Sequence, residues 1–203
     1  MKKILLIVLL VHSFTLYSQN ADIYLLRKIN LERYESTDHT FITISKTARP
    51  FSLAAPIVVF GIGLIDKNKS TRQKGLMMGA SFFVATAVST SLKYMIHRPR
   101  PYDTYPDIQK LSVGGSPSFP SGHTSDAFSN ATSLSLAFPK WYVIAPSYTY
   151  AAAVGYSRMH LGVHYPSDVM VGAVIGAGSA FLCYKAQKWI SYKKRSRRAS
   201  SKN

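Results

Sequence analysis

Five apolar or partly apolar segments, joined by mostly short loops, leave this 203-residue chain little choice but a bundle of helices. Phe51–Ile65, Gly75–Ile96, Trp141–Tyr156 and Pro166–Lys185 are apolar. Thr124–Phe138 runs among them but carries Asp126, Ser129, Asn130, Thr132, Ser133 and Ser135. At about 1.5 Å per residue, Gly75–Ile96 is long enough to cross a hydrocarbon core of about 30 Å, whereas Phe51–Ile65 reaches only about 22 Å. Upstream, Ile23, Leu25, Leu26, Ile29 and Leu31 form a helical stripe among charged residues, which predicts a surface-lying or interfacial amphipathic helix. A second short helix is expected before Pro50. The long loop Arg98–His123 is rich in proline and holds Gly114-Gly115, so it cannot be a regular element.

Composition leaves soluble and membrane classes both open, because 47% hydrophobic residues and 17% charged residues come with a mean hydropathy of only +0.02. Charge placement says more. The formal net charge is +16, and the excess flanks apolar runs at Lys67, Lys69, Arg72 and Lys74 and in the tail Lys193–Arg198. That is the positive-inside pattern of a membrane protein rather than a nucleic-acid-binding face. The single cysteine, Cys183, lies inside an apolar run, so no disulfide forms within the chain and no cysteine cluster holds a metal. Met1-Lys2-Lys3 followed by Ile4–Leu10 reads as a secretory signal peptide or a first membrane helix. The organisation is thus residues 1–19 as leader or first helix, 20–190 as a helical-bundle domain, and 191–203 as a basic cytoplasmic tail.

Three clusters carry the chemistry: Lys93 with Arg100-Pro101, then Pro120-Ser121-Gly122-His123, then Ser157-Arg158 with His164 and Asp168. Guanidinium groups present planar forks of donors that match phosphate oxygens. Ser121-Gly122-His123 precedes an inferred helix, where glycine and the helix N-terminus let backbone N–H groups approach an anion. His123 and His164 can exchange protons near neutral pH. His164 and Asp168 are four apart, so on a helix they would share a face, and the carboxylate would fix the tautomer of a nucleophilic imidazole. Each cluster alone is weak evidence, but eleven residue types at fixed spacings in this order are specific.

These residues resemble the signature of the type 2 phosphatidic acid phosphatase superfamily, which also contains bacterial class A acid phosphatases and vanadium-dependent haloperoxidases. The resemblance runs from Lys93 to Asp168, with all eleven signature residues present. It implies that Lys93, Arg100 and Arg158 bind the phosphoryl oxygens, with Ser121 and the Gly122 backbone adding hydrogen bonds. It further implies that His123 protonates the leaving group, His164 attacks phosphorus, and Asp168 orients His164. No metal and no cofactor are implied. The role of Ser157 is less clear. His97 and His160, within the motif spacers, are expected to support the site, and Asp103, Asp107 and Tyr102 to face solvent.

A topology argument favours the membrane. With the N-terminus inside, alternate crossings bring all three clusters to one outer face and return the basic loop and tail to the cytoplasm. The expectation is therefore an all-α helical bundle, membrane-embedded, with five or six spanning helices and a short amphipathic N-terminal region. It would sit in a bacterial inner membrane with the site on the periplasmic or outer face, acting on a lipid-linked phosphate and on no nucleic acid. Isoprenyl pyrophosphate, phosphatidic acid, phosphatidylglycerol phosphate and lipid A phosphate all fit. The alternatives are a soluble periplasmic acid phosphatase, a haloperoxidase, and a membrane protein that only binds head groups. Gly172 and Gly176 form a small-xxx-small pair that predicts close helix packing.

Overall fold

The apolar segments become helices in the computed structural model, which describes residues 20–200. Residues 1–19, expected to be a leader or a first helix, and residues 201–203 lie outside the described residues. Helix α1 covers residues 20–31. A 3-10 turn at Glu35–Thr37 leads into α2 (Asp38–Ile65), and α3 (Lys69–Ile96) returns antiparallel to it. A short α4 (Pro101–Thr104) opens the long loop, followed by α5 (Gly122–Ala137), α6 (Trp141–His160) and α7 (Pro166–Ser200). No strand occurs among the described residues, and the all-α expectation holds.

The expected break before Pro50 is absent. One helix of 28 residues runs through both Pro50 and Pro56. Proline removes a backbone donor, but neighbouring helices and hydroxyl side chains hold such a helix together. Here the Ser52 hydroxyl donates to the Ala48 carbonyl at 2.8 Å. The apparent shortfall of Phe51–Ile65 disappears, since 28 residues extend about 42 Å. Three described helical stretches, Glu35–Ile65, Lys69–Thr104 and Pro166–Lys193, are long and apolar enough to cross a membrane.

The polar segment finds its explanation in position. Helix α5 is the centre of the bundle and packs against α2, α3, α6 and α7. Its Ser125, Ser129, Thr132 and Ser133 are buried inside protein rather than turned to lipid. Small residues bring α7 close: a Cβ on Gly172 would stand 2.6 Å from the Ser121 carbonyl oxygen, and one on Gly176 2.8 Å from the Ser129 nitrogen. The predicted small-residue pair is therefore a helix-packing device. Large apolar side chains point outward instead, among them Ile57, Phe83, Val174 and Leu182. A bundle with a small, polar interior and an apolar exterior is built for lipid. Cys183 is partly buried beside Met77 and Met78.

Helix α1 is amphipathic as expected, but its inner face is docked on protein. Leu26 and Ile23 pack with Ile108 and Tyr165, and the buried Asn30 amide donates to the carbonyls of Gln109 and His160. It clamps the long loop and the α6–α7 turn from above.

Candidate active site

The site forms where α3, α5, α6 and α7 meet the long loop. Helix α3 ends at His97, whose backbone turns left-handed at φ 50°, and this throws the chain into the loop just after Lys93. The Lys93 ammonium donates to the carbonyls of Pro117 at 2.6 Å and Ser118 at 3.4 Å. Arg100 donates through Nε to the Ser116 carbonyl and through Nη1 to the Val163 carbonyl, both at 2.8 Å. These two cations thus strap the loop against the turn that carries His164.

That turn, residues 161–165, folds back on α6 because both Val163 N–H and His164 N–H donate to the Arg158 carbonyl. Gly162 has φ +69°, and the Gln109 carbonyl fills the space a side chain would need. Arg158 and His164 are thereby held side by side. The Arg158 guanidinium is buried and donates to the Ser45 hydroxyl on α2.

The His164 and Asp168 side chains meet, with Nδ1 3.4 Å from Oδ2. They do not share a helix face as the spacing suggested. Helix α7 begins at Pro166, so His164 lies in the turn before it and Asp168 in its first turn. Asp168 is fully buried and richly ligated: Oδ1 accepts from Arg98 Nη1 at 2.7 Å, and Oδ2 accepts from the Ser118 hydroxyl at 2.5 Å and the Tyr165 N–H at 3.0 Å. Such charge-assisted bonds favour the carboxylate.

Ser121 stands just before α5 without a side-chain capping bond, and its N–H donates to the Asp168 carbonyl at 3.0 Å. Its hydroxyl pairs with that of Thr124 at 2.8 Å. Gly122 lies beside Lys93, whose Cε would be 3.9 Å from an added Cβ. His123 lies close enough to feel the charges of Arg158 and His164. All eight site residues read from the sequence therefore gather at one end of the bundle. Ser157 is turned away, donating to the Val154 carbonyl at 2.7 Å.

Sequence reasoning missed three residues, Asp22, Arg98 and Ser118. Arg98 bridges Asp168 to Asp22 of α1, with 2.7 Å on each side, and its guanidinium stacks 3.8 Å from the Tyr165 ring centroid. Asp22 in turn accepts from the Ser167 N–H and hydroxyl. His160, in the spacer of the third cluster, is buried with its Nε2 2.7 Å from an Asp38 oxygen at the start of α2. Asp107 faces solvent, as expected, and there forms an exposed ion pair with Arg27 of α1 at 2.7 Å.

Burial pushes the His164 imidazole down to about 3, opposed by the hydrogen bond to Asp168 and assisted by the nearby Arg158. A neutral ring with Nδ1 turned to Asp168 leaves the Nε2 lone pair available. The folded protein then binds fewer protons than the unfolded chain from about pH 6.5 down to about 3, so stability contributed here is complete above 6.5 and falls as pH falls. Thermal unfolding in detergent should show a Tm that drops between pH 7.5 and 5, with a shallower drop in His164→Gln. Equal slopes in the two proteins would mean that the folded imidazole takes up the proton.

Among the described residues no group of three or more His, Cys, Asp or Glu side chains converges as metal ligands. The sequence profile described as the PAP2 superfamily matches residues 74–192. The chain is 28% identical over 177 residues to an undecaprenyl-diphosphatase of Sulfolobus acidocaldarius, covering 85% of this chain and 82% of that one. Its fold matches the crystal structure of Aquifex aeolicus LpxE with a TM-score of 0.70 at 30% identity, over 81% of this chain and 95% of that one. It also matches a transmembrane PAP2-type phosphatidylglycerolphosphate phosphatase from Bacillus subtilis, with a TM-score of 0.71 at 29% identity over 86% and 88%.

Proposed function

The chain belongs to the PAP2 superfamily and is a phosphatase, and from that premise we propose that it removes phosphate from a lipid-linked monoester or diphosphate through a phosphohistidine on His164. One observation carries the reading. The turn that presents His164 is held by Arg158 from below and Arg100 from above, while Lys93 closes the loop beside it. A phosphoryl group entering there meets three fixed cations and one neutral imidazole.

In this proposal Lys93, Arg100 and Arg158 replace their present backbone and hydroxyl partners with phosphoryl oxygens, and the Ser121 hydroxyl and Gly122 N–H add donors. Phosphoryl transfer depends on positioning and charge neutralisation, which these groups supply from fixed positions. Nε2 of His164 attacks phosphorus as the bond to the leaving oxygen breaks. His123 gives that oxygen a proton, then takes one from the water that cleaves the phosphorus–nitrogen bond. Asp168 keeps the proton of Nδ1 in place and stabilises the charge that develops on the ring.

The protein is a membrane protein, and the finer placement is proposed on charge. Lys67, Lys69 and Lys74 lie at the end of the bundle opposite the site, as does the basic end of α7. Trp141 and Trp189 are exposed at that end too. Exposed tryptophans mark a membrane interface and the basic residues mark it as the cytoplasmic one, so the site is proposed to face the periplasmic or outer side of a bacterial inner membrane. We propose five or six crossings, with α5 crossing inside a sheath of other helices. The apolar exterior supports this over a soluble acid phosphatase.

The test is phosphate release by detergent-solubilised protein from isoprenyl diphosphate, phosphatidic acid, phosphatidylglycerol phosphate and lipid A phosphate, each with and without EDTA. Turnover of at least one, unchanged by EDTA, is expected. Activity that EDTA removes and Mg²⁺ or Zn²⁺ restores would sink the metal-free mechanism. No release from any lipid would sink the substrate class.

A further inference from the structure

Arg49 belongs to none of the three signature clusters, and its place in the bundle calls for a ligand. It lies well inside α2, a helix that is apolar for most of its length. Its partner Asp126 on α5 is buried and already accepts from the Thr86 hydroxyl at 3.0 Å. Arg49 reaches Asp126 only through Nε, at a long 3.4 Å, and its side chain is 55% exposed. A guanidinium that served only to neutralise this acid would engage it with its fork. The terminal nitrogens instead have no hydrogen-bond partner among the described residues.

The helical registers fix how deep Arg49 lies. Ser45, one turn before Arg49 on α2, touches the Arg158 guanidinium. Asp126 lies three residues beyond His123 on α5. Both helices run inward from the site at these points. Arg49 is therefore about one turn, about 5 Å, deeper in the bundle than Arg158 and His123. It is near enough that its charge acts on both Lys93 and His123. Deeper again, a cavity between α2 and α6, floored by α5, is lined mainly by apolar side chains, including Phe51, Ala127, Ala131, Leu134 and Tyr150.

From the outer end inward the order is thus three cations with His164, then His123, then Arg49, then an apolar groove. A lipid diphosphate presents its parts in the same order: terminal phosphate, bridging oxygen, proximal phosphate, hydrocarbon chain. We propose that Arg49 binds the proximal phosphate of a lipid diphosphate, with the start of the lipid chain in the groove between α2 and α6, and so selects diphosphates over monoesters. This rests on the phosphatase reading given above.

The chemistry balances without another reactant. Nε2 of His164 bonds to the terminal phosphorus, and the bond from that phosphorus to the bridging oxygen breaks. The electron pair stays on the bridging oxygen, which leaves as part of a lipid monophosphate. His123 protonates it, and Arg49 offsets the remaining charge. Water then releases inorganic phosphate and restores His164. With a lipid monophosphate the leaving group is a neutral alcohol, and Arg49 faces no anion.

The experiment compares kcat/KM for a prenyl diphosphate and for the monophosphate of the same prenol, in detergent micelles. It uses the wild type, Arg49→Gln, and the double variant Arg49→Gln/Asp126→Asn, which leaves no unpaired buried acid if the single variant fails to fold. The ratio of diphosphate to monophosphate kcat/KM should fall by about 10- to 100-fold, the loss expected for a hydrogen bond between charged groups. A fall of less than about tenfold in the folded variants overturns the inference, since Arg49 would then serve both substrates alike. A wild type that hydrolyses only the monophosphate overturns it while leaving the phosphatase reading intact. A wild type that releases phosphate from neither compound removes both.

Discussion

Replacing His164 with alanine should abolish turnover, by at least about 10⁴-fold, while the protein stays folded. The loss is large because the imidazole divides one difficult displacement into two, and no other group stands ready to replace it. Ser118 has a hydroxyl 3.4 Å from His164 Nδ1, but it is committed to Asp168. The fold should survive because Asp168 keeps its bonds to Arg98, Ser118 and the Tyr165 N–H. No buried acid is orphaned. The measurement is phosphate release together with rapid-quench trapping of an acid-labile, base-stable phosphoenzyme. Wild type should show the adduct and His164→Ala should not. A folded variant that keeps more than about one hundredth of wild-type activity would take the nucleophile role from His164.

The eight proposed site residues could be picked out because phosphoryl chemistry asks for particular residue types at fixed local spacings, and local spacing survives in a sequence. Arg98 and Asp22 could not. Their ion pair joins residues 76 apart, and it exists only because α1 folds back over the α6–α7 turn. Ser118 reaches Asp168 across 50 positions through a proline-rich loop whose path no periodicity reveals. The fold shows the same division. Helices announced themselves through apolar runs, whereas the cap that starts α3, the Asn68 side chain accepting from the Thr71 N–H at 3.1 Å, showed only in the structure. Pro50 misled, because its cost depends on what surrounds the helix, and that is tertiary information. Thr124–Phe138 is polar for a related reason. Its polarity looks soluble when read alone and becomes ordinary once four other helices cover it.

Arg98→Ala should cost about 3–5 kcal/mol of stability and lower the Tm by roughly 10 °C. Breaking a buried pair by removing one partner strands the other charge, and here one side chain serves two acids. Asp168 is fully buried and Asp22 nearly so. Asp22→Asn should cost less, since the amide oxygen can still accept from the Ser167 N–H while the amide N–H₂ donates to the Ser167 hydroxyl, and only the bond from Arg98 is lost. Arg98→Lys should fall between the two, because a single ammonium cannot span both carboxylates as a fork does. Activity should follow a different order. Arg98 holds Oδ1 of Asp168, while Ser118 and the Tyr165 N–H hold Oδ2, the oxygen that faces His164. Losing Arg98 therefore leaves the working oxygen in place but lets the carboxylate rotate, which should lower kcat with little change in KM. Unfolding in detergent and steady-state kinetics on the same preparations separate the two effects. If Arg98→Ala melts like wild type and turns over at the same rate, the Asp22–Arg98–Asp168 chain holds neither α1 nor the catalytic pair.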